Sequence, residues 1–79
     1  MASKQDRIRK IVGEVAKKDR LPGEDESLFE AGVLDSFALA DLVAALEAEF
    51  RVSVPDTDMR PRNFETLARI DSYLERIGA

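Results

Sequence analysis

Neither cysteine nor histidine occurs in the chain, and each absence removes whole classes of protein. Without cysteine, no disulfide and no zinc-thiolate site can staple the fold. Without histidine, the usual general base, the usual partner of a nucleophilic serine and the commonest metal ligand are all missing. Long apolar runs are missing too. None approaches the roughly 18 residues of a membrane span, and the start, Met1-Ala2-Ser3-Lys4, lacks the apolar core of a signal peptide. The expected compartment is therefore the cytoplasm. An excess of positive charge is also lacking: net charge is -4 and the pI about 4.8. Nucleic acid is a poor partner for such a chain, because phosphate binding needs a basic surface to release counterions. Finally, length is short. A chain of 79 residues makes one small domain over 1-79, burying about 60 to 65% of its unfolded surface and leaving no room for a closed active-site cleft. Any chemistry must be brought by a cofactor or by partners.

Three amphipathic stretches are present. In the first, Ile8, Ile11, Val12 and Val15 share a face while Lys4, Arg7, Lys10, Glu14, Lys17 and Lys18 occupy the others, predicting a surface helix over 3-19. Ser3 and Asp6 have capping-box spacing at its start, and Lys17 and Lys18 suit the negative end of its dipole. Its basic residues surround the stripe without forming a block, as a solvated face does.

A long loop over 20-35 follows, with a Pro22-Gly23 turn and the acidic run Glu24-Asp25-Glu26. The run lacks the alternating ligands and turn glycine of a calcium loop, so no metal site is expected. Ser27-Leu28-Phe29-Glu30 again has capping-box spacing, and Gly32 can end the turn it starts. Leu28 and Phe29 are expected to pin the loop onto the core.

The clearest helical pattern spans 36-51, where Leu39, Leu42, Val43, Leu46 and Phe50 recur at three- and four-residue steps. After it, Val52 and Val54 alternate like a strand but have no second strand to pair with, so an extended connector is expected. Pro55 stops the preceding helix. A short helix over 56-62, limited by Pro61, and a last helix over 64-77 capped by Asn63 complete the reading. The last stripe is Leu67, Ile70, Tyr73, Leu74 and Ile77, with Phe64 at its entrance and Gly78 closing it. The expected fold is all-α, a small bundle of three long helices and one short one.

At the head of the central helix stand Leu34-Asp35-Ser36-Phe37, where two good capping residues arrive together. If Asp35 caps, the Ser36 hydroxyl is left facing solvent at a helix N-terminus, where free amides and the dipole favour a phosphate. A serine at a helix start is otherwise simply a cap. Phe37 lies five residues before Leu42, a rotation of about 500°, which puts it well off the buried stripe. Together with Ala40, Asp41, Ala44 and Glu47 it forms either a docking surface or, if the ring folds back, a hydrophobic staple.

The run from Ser27 through Asp35-Ser36-Phe37 to Leu46-Glu47-Ala48-Glu49-Phe50 closely resembles the acyl carrier proteins, and the likeness covers nearly the whole chain. The resemblance implies that Ser36 carries a covalent 4′-phosphopantetheine arm, moved from coenzyme A by a phosphopantetheinyl transferase with a divalent metal. It implies a non-catalytic, monomeric carrier whose thiol holds an acyl or aminoacyl thioester for a ligase, a transferase and later enzymes of a lipid, polyketide or peptide pathway. It implies too that partners recognise the central helix, with Phe37, Ala40, Asp41, Ala44 and Glu47 as its docking residues. In some carriers the cargo folds between the helices, and Val43, Leu46, Phe50, Val54 and Met59 stand where they would line such a space or serve as ordinary core. Arg51, Arg60, Arg62 and Arg69 depart from the acidic second and third helices of fatty-acid carriers, and point to a dedicated carrier. The rival readings are a carrier-like adaptor that stays unmodified and an unrelated small helical regulator.

Overall fold

The computed structural model describes residues 3-17 and 20-79; Lys18 and Asp19, and with them the far end of the first expected helix, lie outside the described residues. Helix α1, Lys4–Ala16, starts where local chemistry says it should. The Ser3 hydroxyl accepts from the Asp6 amide at 3.1 Å, and the Asp6 carboxylate accepts from the Ser3 amide at 3.3 Å, completing the capping box. It ends where Lys17 turns left-handed, φ 57°, and donates its amide to the Gly13 carbonyl. Ile8, Ile11 and Val12 are its buried face.

Helix α2, Ser36–Phe50, buries Leu39, Leu42, Val43 and Leu46 and ends at a second left-handed basic residue, Arg51, φ 55°. Phe50 is half-buried, and the Arg7 guanidinium covers its ring at 4.4 Å while bonding Glu49. Helix α3, Leu67–Arg76, supplies Leu67, Ile70, Tyr73 and Leu74. α1 packs against both other helices, and the buried side chains of all three merge into one core. No strand forms among the described residues.

Three expectations in the second half need correction. The single short helix over 56-62 is instead a pair of 3-10 turns, Asp56–Asp58 and Pro61–Phe64, and the last helix begins at Leu67, three residues later than expected. Pro61 explains the split: it has no amide to continue the first turn, yet its fixed φ suits the first position of the second. Asn63 does not cap α3. Its side-chain amide donates to the Asp58 carbonyl at 2.9 Å and ties the two turns together. The cap is Thr66, whose hydroxyl accepts from the Arg69 amide at 3.0 Å.

The long loop is held down rather than loose. Leu28 is fully buried, Val33 and Leu34 are buried, and Ser27 accepts the Glu30 amide to start one turn that closes at Gly32, φ 77°. Two backbone bonds stitch this loop to the entrance of α3, Leu28 N–H to the Glu65 carbonyl at 2.7 Å and Ala68 N–H to the Glu24 carbonyl at 3.1 Å. An ion pair, Arg9 to Glu24 at 3.6 Å, adds a tie to α1. The radius of gyration, 11.2 Å, is close to the roughly 12 Å expected of a compact domain of this length.

Tyr73 joins the 3-10 turns to α3. Its ring meets Phe64 edge-on at 5.3 Å, and its hydroxyl donates to the Asp58 carboxylate at 2.8 Å. Burial, then that hydrogen bond and the Asp58 charge, push the phenol up from 10.0 to about 12. The folded pKa lies above the unfolded one, so this stabilisation is complete below pH ~10 and is lost as pH rises towards ~12. Wild type should therefore lose on the order of 2 kcal/mol across that window relative to Tyr73→Phe. Urea unfolding of both proteins on either side of the window checks this; a wild-type-to-variant difference that does not change with pH would show that the phenol does not stay protonated in the folded state.

Candidate functional site

The candidate site is the first turn of α2. Asp35 is extended, φ -137° and ψ -173°, and its carboxylate accepts from the Ala38 amide at 2.8 Å. The cap is thus supplied by the aspartate, which also places a negative charge at the positive end of the helix dipole. Ser36 is the first helical residue and is exposed. Its hydroxyl takes no part in the cap. The amides of Ser36 and Phe37 lie in the turn where no intrahelical carbonyl is available, so the hydroxyl stands beside free donors that suit phosphate oxygens. Of the two local alternatives, cap or free hydroxyl, the geometry takes the second.

Leu34 and Val33, buried just before the cap, fix the direction from which the chain enters α2. The stripe Leu39-Leu42-Val43-Leu46 then anchors the helix by its inner face, and the outer face is left to Phe37, Ala40, Asp41 and Ala44, all exposed. Phe37 retains 86% of its accessible surface, so it is no staple. It is the one large apolar side chain so exposed among the described residues. Glu47 does not join them. It is half-buried, and its carboxylate accepts from the Val54 amide at 2.9 Å, latching the connector against α2. That contact was not visible in the sequence, where seven residues and a turn separate the two.

Val43, Leu46 and Val54 are buried in the common core, and Phe50 and Met59 are half-buried against it. Two depressions of the surface are lined by other residues, one along the second 3-10 turn and α3, the other between α1 and the start of α3. Among the described residues no group of three or more carboxylates, histidines or cysteines is placed to hold a metal ion, and no helix is long and apolar enough to cross a membrane.

A free serine at the head of an aspartate-capped helix, in a chain without histidine, suits a carrier on which other enzymes act. Residues 6-72 match the family described as a phosphopantetheine attachment site, and the chain belongs to that family of carrier proteins. It is a specialised member, it bears 4′-phosphopantetheine covalently, and it is a substrate of other enzymes rather than a catalyst. Among its relatives is the D-alanyl carrier protein of Streptococcus suis, 35% identical over 65 residues, which cover 82% of each chain. That of Streptococcus mutans is 35% identical over 63 residues, 80% of each, and that of Streptococcus pyogenes 36% over 53 residues, 67% of each.

Proposed function

We propose that Ser36 is the attachment residue and that the cargo is a small amino acid, carried as a thioester in the cytoplasm between an activating ligase and an acceptor enzyme. The observation that carries the first half is the division of labour at the α2 N-terminus, Asp35 capping and Ser36 exposed. In the loading step the Ser36 oxygen attacks the pyrophosphate of coenzyme A, a new phosphoester bond forms at Oγ, and the nucleotide leaves with the other phosphate. The serine proton goes to a base of the transferase, the Asp35 carboxylate being engaged by the Ala38 amide as the helix cap. Asp35 keeps the first turn wound so that the hydroxyl and the free amides stay aligned. Once attached, the arm supplies a terminal thiol, and tethering raises the effective concentration of whatever that thiol holds.

An aminoacyl cargo is supported by the D-alanyl relatives. It is also supported by the core. A long acyl chain would have to part Val43, Leu46 and Val54, which are buried, whereas a small polar cargo stays in solvent at no such cost. The test is to incubate the phosphopantetheinylated protein with a D-alanine-activating ligase and ATP and to weigh the product, alongside the species trapped on the arm in the native host. An alanyl adduct is expected. A fatty-acyl mass would overturn the cargo, and a chain that a transferase leaves unmodified would make it an adaptor.

Partners should dock on the exposed face of α2. Phe37→Ala and Asp41→Lys are expected to keep the helical spectrum and to change stability by no more than about 0.5 kcal/mol, since both sites are exposed. Both should slow Ser36 loading. The charge reversal acts through encounter and its penalty should shrink with salt, while the loss of the aromatic contact should persist. Transferase kinetics at low and high ionic strength read the difference; wild-type rates for both variants would place the docking face elsewhere. Glu47, held by Val54, should matter to folding more than to docking.

A further inference from the structure

A net charge of -4 hides a local reversal. An open groove of about 840 Å³ runs along the second 3-10 turn and α3, and Arg62, Arg69 and Arg76 all line it. They are spaced by seven residues each, which on α3 means Arg69 and Arg76 stand two turns apart, roughly 10 Å, on the same side of the helix. All three are exposed. Among the described residues, the ion pairs are Lys4 with Asp71, Arg7 with Glu49 and Arg9 with Glu24; none uses these arginines. Arg76 lies over the Tyr73 ring at 5.4 Å, a contact that leaves its charge unneutralised. Two carboxylates, Asp25 and Glu65, also line the groove and reduce but do not cancel its positive charge.

We propose that this groove is a second docking surface, and that its occupant is an acidic helical segment of a partner protein presenting carboxylates about two turns apart. Spacing selects the occupant: one phosphate or carboxylate reaches a single guanidinium, whereas a helix with acidic residues at seven-residue intervals meets Arg69 and Arg76 together with bidentate geometry at each. Nucleic acid is opposed by the acidic remainder of the molecule. A flat anionic bilayer does not enter a groove whose floor includes Thr66 and Tyr73, both buried. No residue of α2 lines the groove. A partner held there leaves Ser36 and Phe37 free, so the carrier can be retained by one protein while a second works on its arm.

The test is an amide and arginine Nε spectrum of the phosphopantetheinylated protein, titrated with a helical peptide bearing glutamate at every seventh position of one face. A peptide with glutamine at those positions, inorganic phosphate and phosphatidylglycerol vesicles serve as comparisons. Shifts are expected over 61-76 with the glutamate peptide alone, weakening with salt and falling about tenfold or more in Arg62→Glu/Arg69→Glu. Equal shifts with the glutamine peptide, with phosphate or with vesicles would overturn the proposal. So would shifts centred on Lys4, Arg7 and Arg9, or binding that survives in the double variant. That variant should load at Ser36 at the wild-type rate, which keeps this outcome separate from that of the attachment site.

Discussion

Ser36→Ala should abolish phosphopantetheine loading outright while leaving a folded protein. The hydroxyl is the only group replaced, it is exposed, and it takes no part in capping α2. Removing it therefore leaves the Asp35 to Ala38 bond in place, and alanine is a better helix former than serine at a first-turn position. The melting curve should stay within about 0.5 kcal/mol of wild type. Intact mass after incubation with coenzyme A and a transferase gives the answer, and a mass shift that persists in the variant would place the arm on another residue. Asp35→Ala separates the two roles from the other side. It leaves the nucleophile but unwinds its setting, so it should cost about 0.5 to 2 kcal/mol and slow loading without preventing it.

The second large effect is structural. Leu46→Ala should destabilise the protein by about 2 to 5 kcal/mol, because Leu46 is fully buried in the common core. Stability for a domain of this size is on the order of 5 kcal/mol, so the variant should be partly unfolded near physiological temperature. Urea titration measures it directly. A midpoint within a few tenths molar of wild type would mean that the neighbouring side chains close over the cavity, or that α2 packs by another face. Such a variant also serves as a control for the docking experiments, since any loss of loading in it comes through the fold.

What was legible in the residues alone is whatever short-range chemistry decides. The stripe of α2, its start at Ser36 and the Ser3-Asp6 box each involve groups three or four residues apart, and spacing of that kind is written directly in the chain. The turn at Ser27 to Gly32 and the connector at Val52 and Val54 were readable for the same reason. The free hydroxyl was legible only as one of two alternatives, since Asp35 and Ser36 are both good caps, and the structure gives the cap to Asp35.

Tertiary structure decided the rest. Asn63 and Thr66 are both good caps in isolation, and what chooses Thr66 is the loop from the far side of α1, whose Glu24 and Leu28 bond the backbone at Ala68 and Glu65. The Tyr73 to Asp58 bond and the Asn63 contact hold against α3 and each other the two 3-10 turns that Pro61 separates. Glu47 looked like a surface carboxylate until the connector folded back and offered it the Val54 amide. Whether Phe37 would lie down as a staple or stand free was also open, and it stands free. Each of these outcomes depends on a partner many residues away or on how tightly a loop packs, and local propensities are too nearly equal at those positions to choose without it.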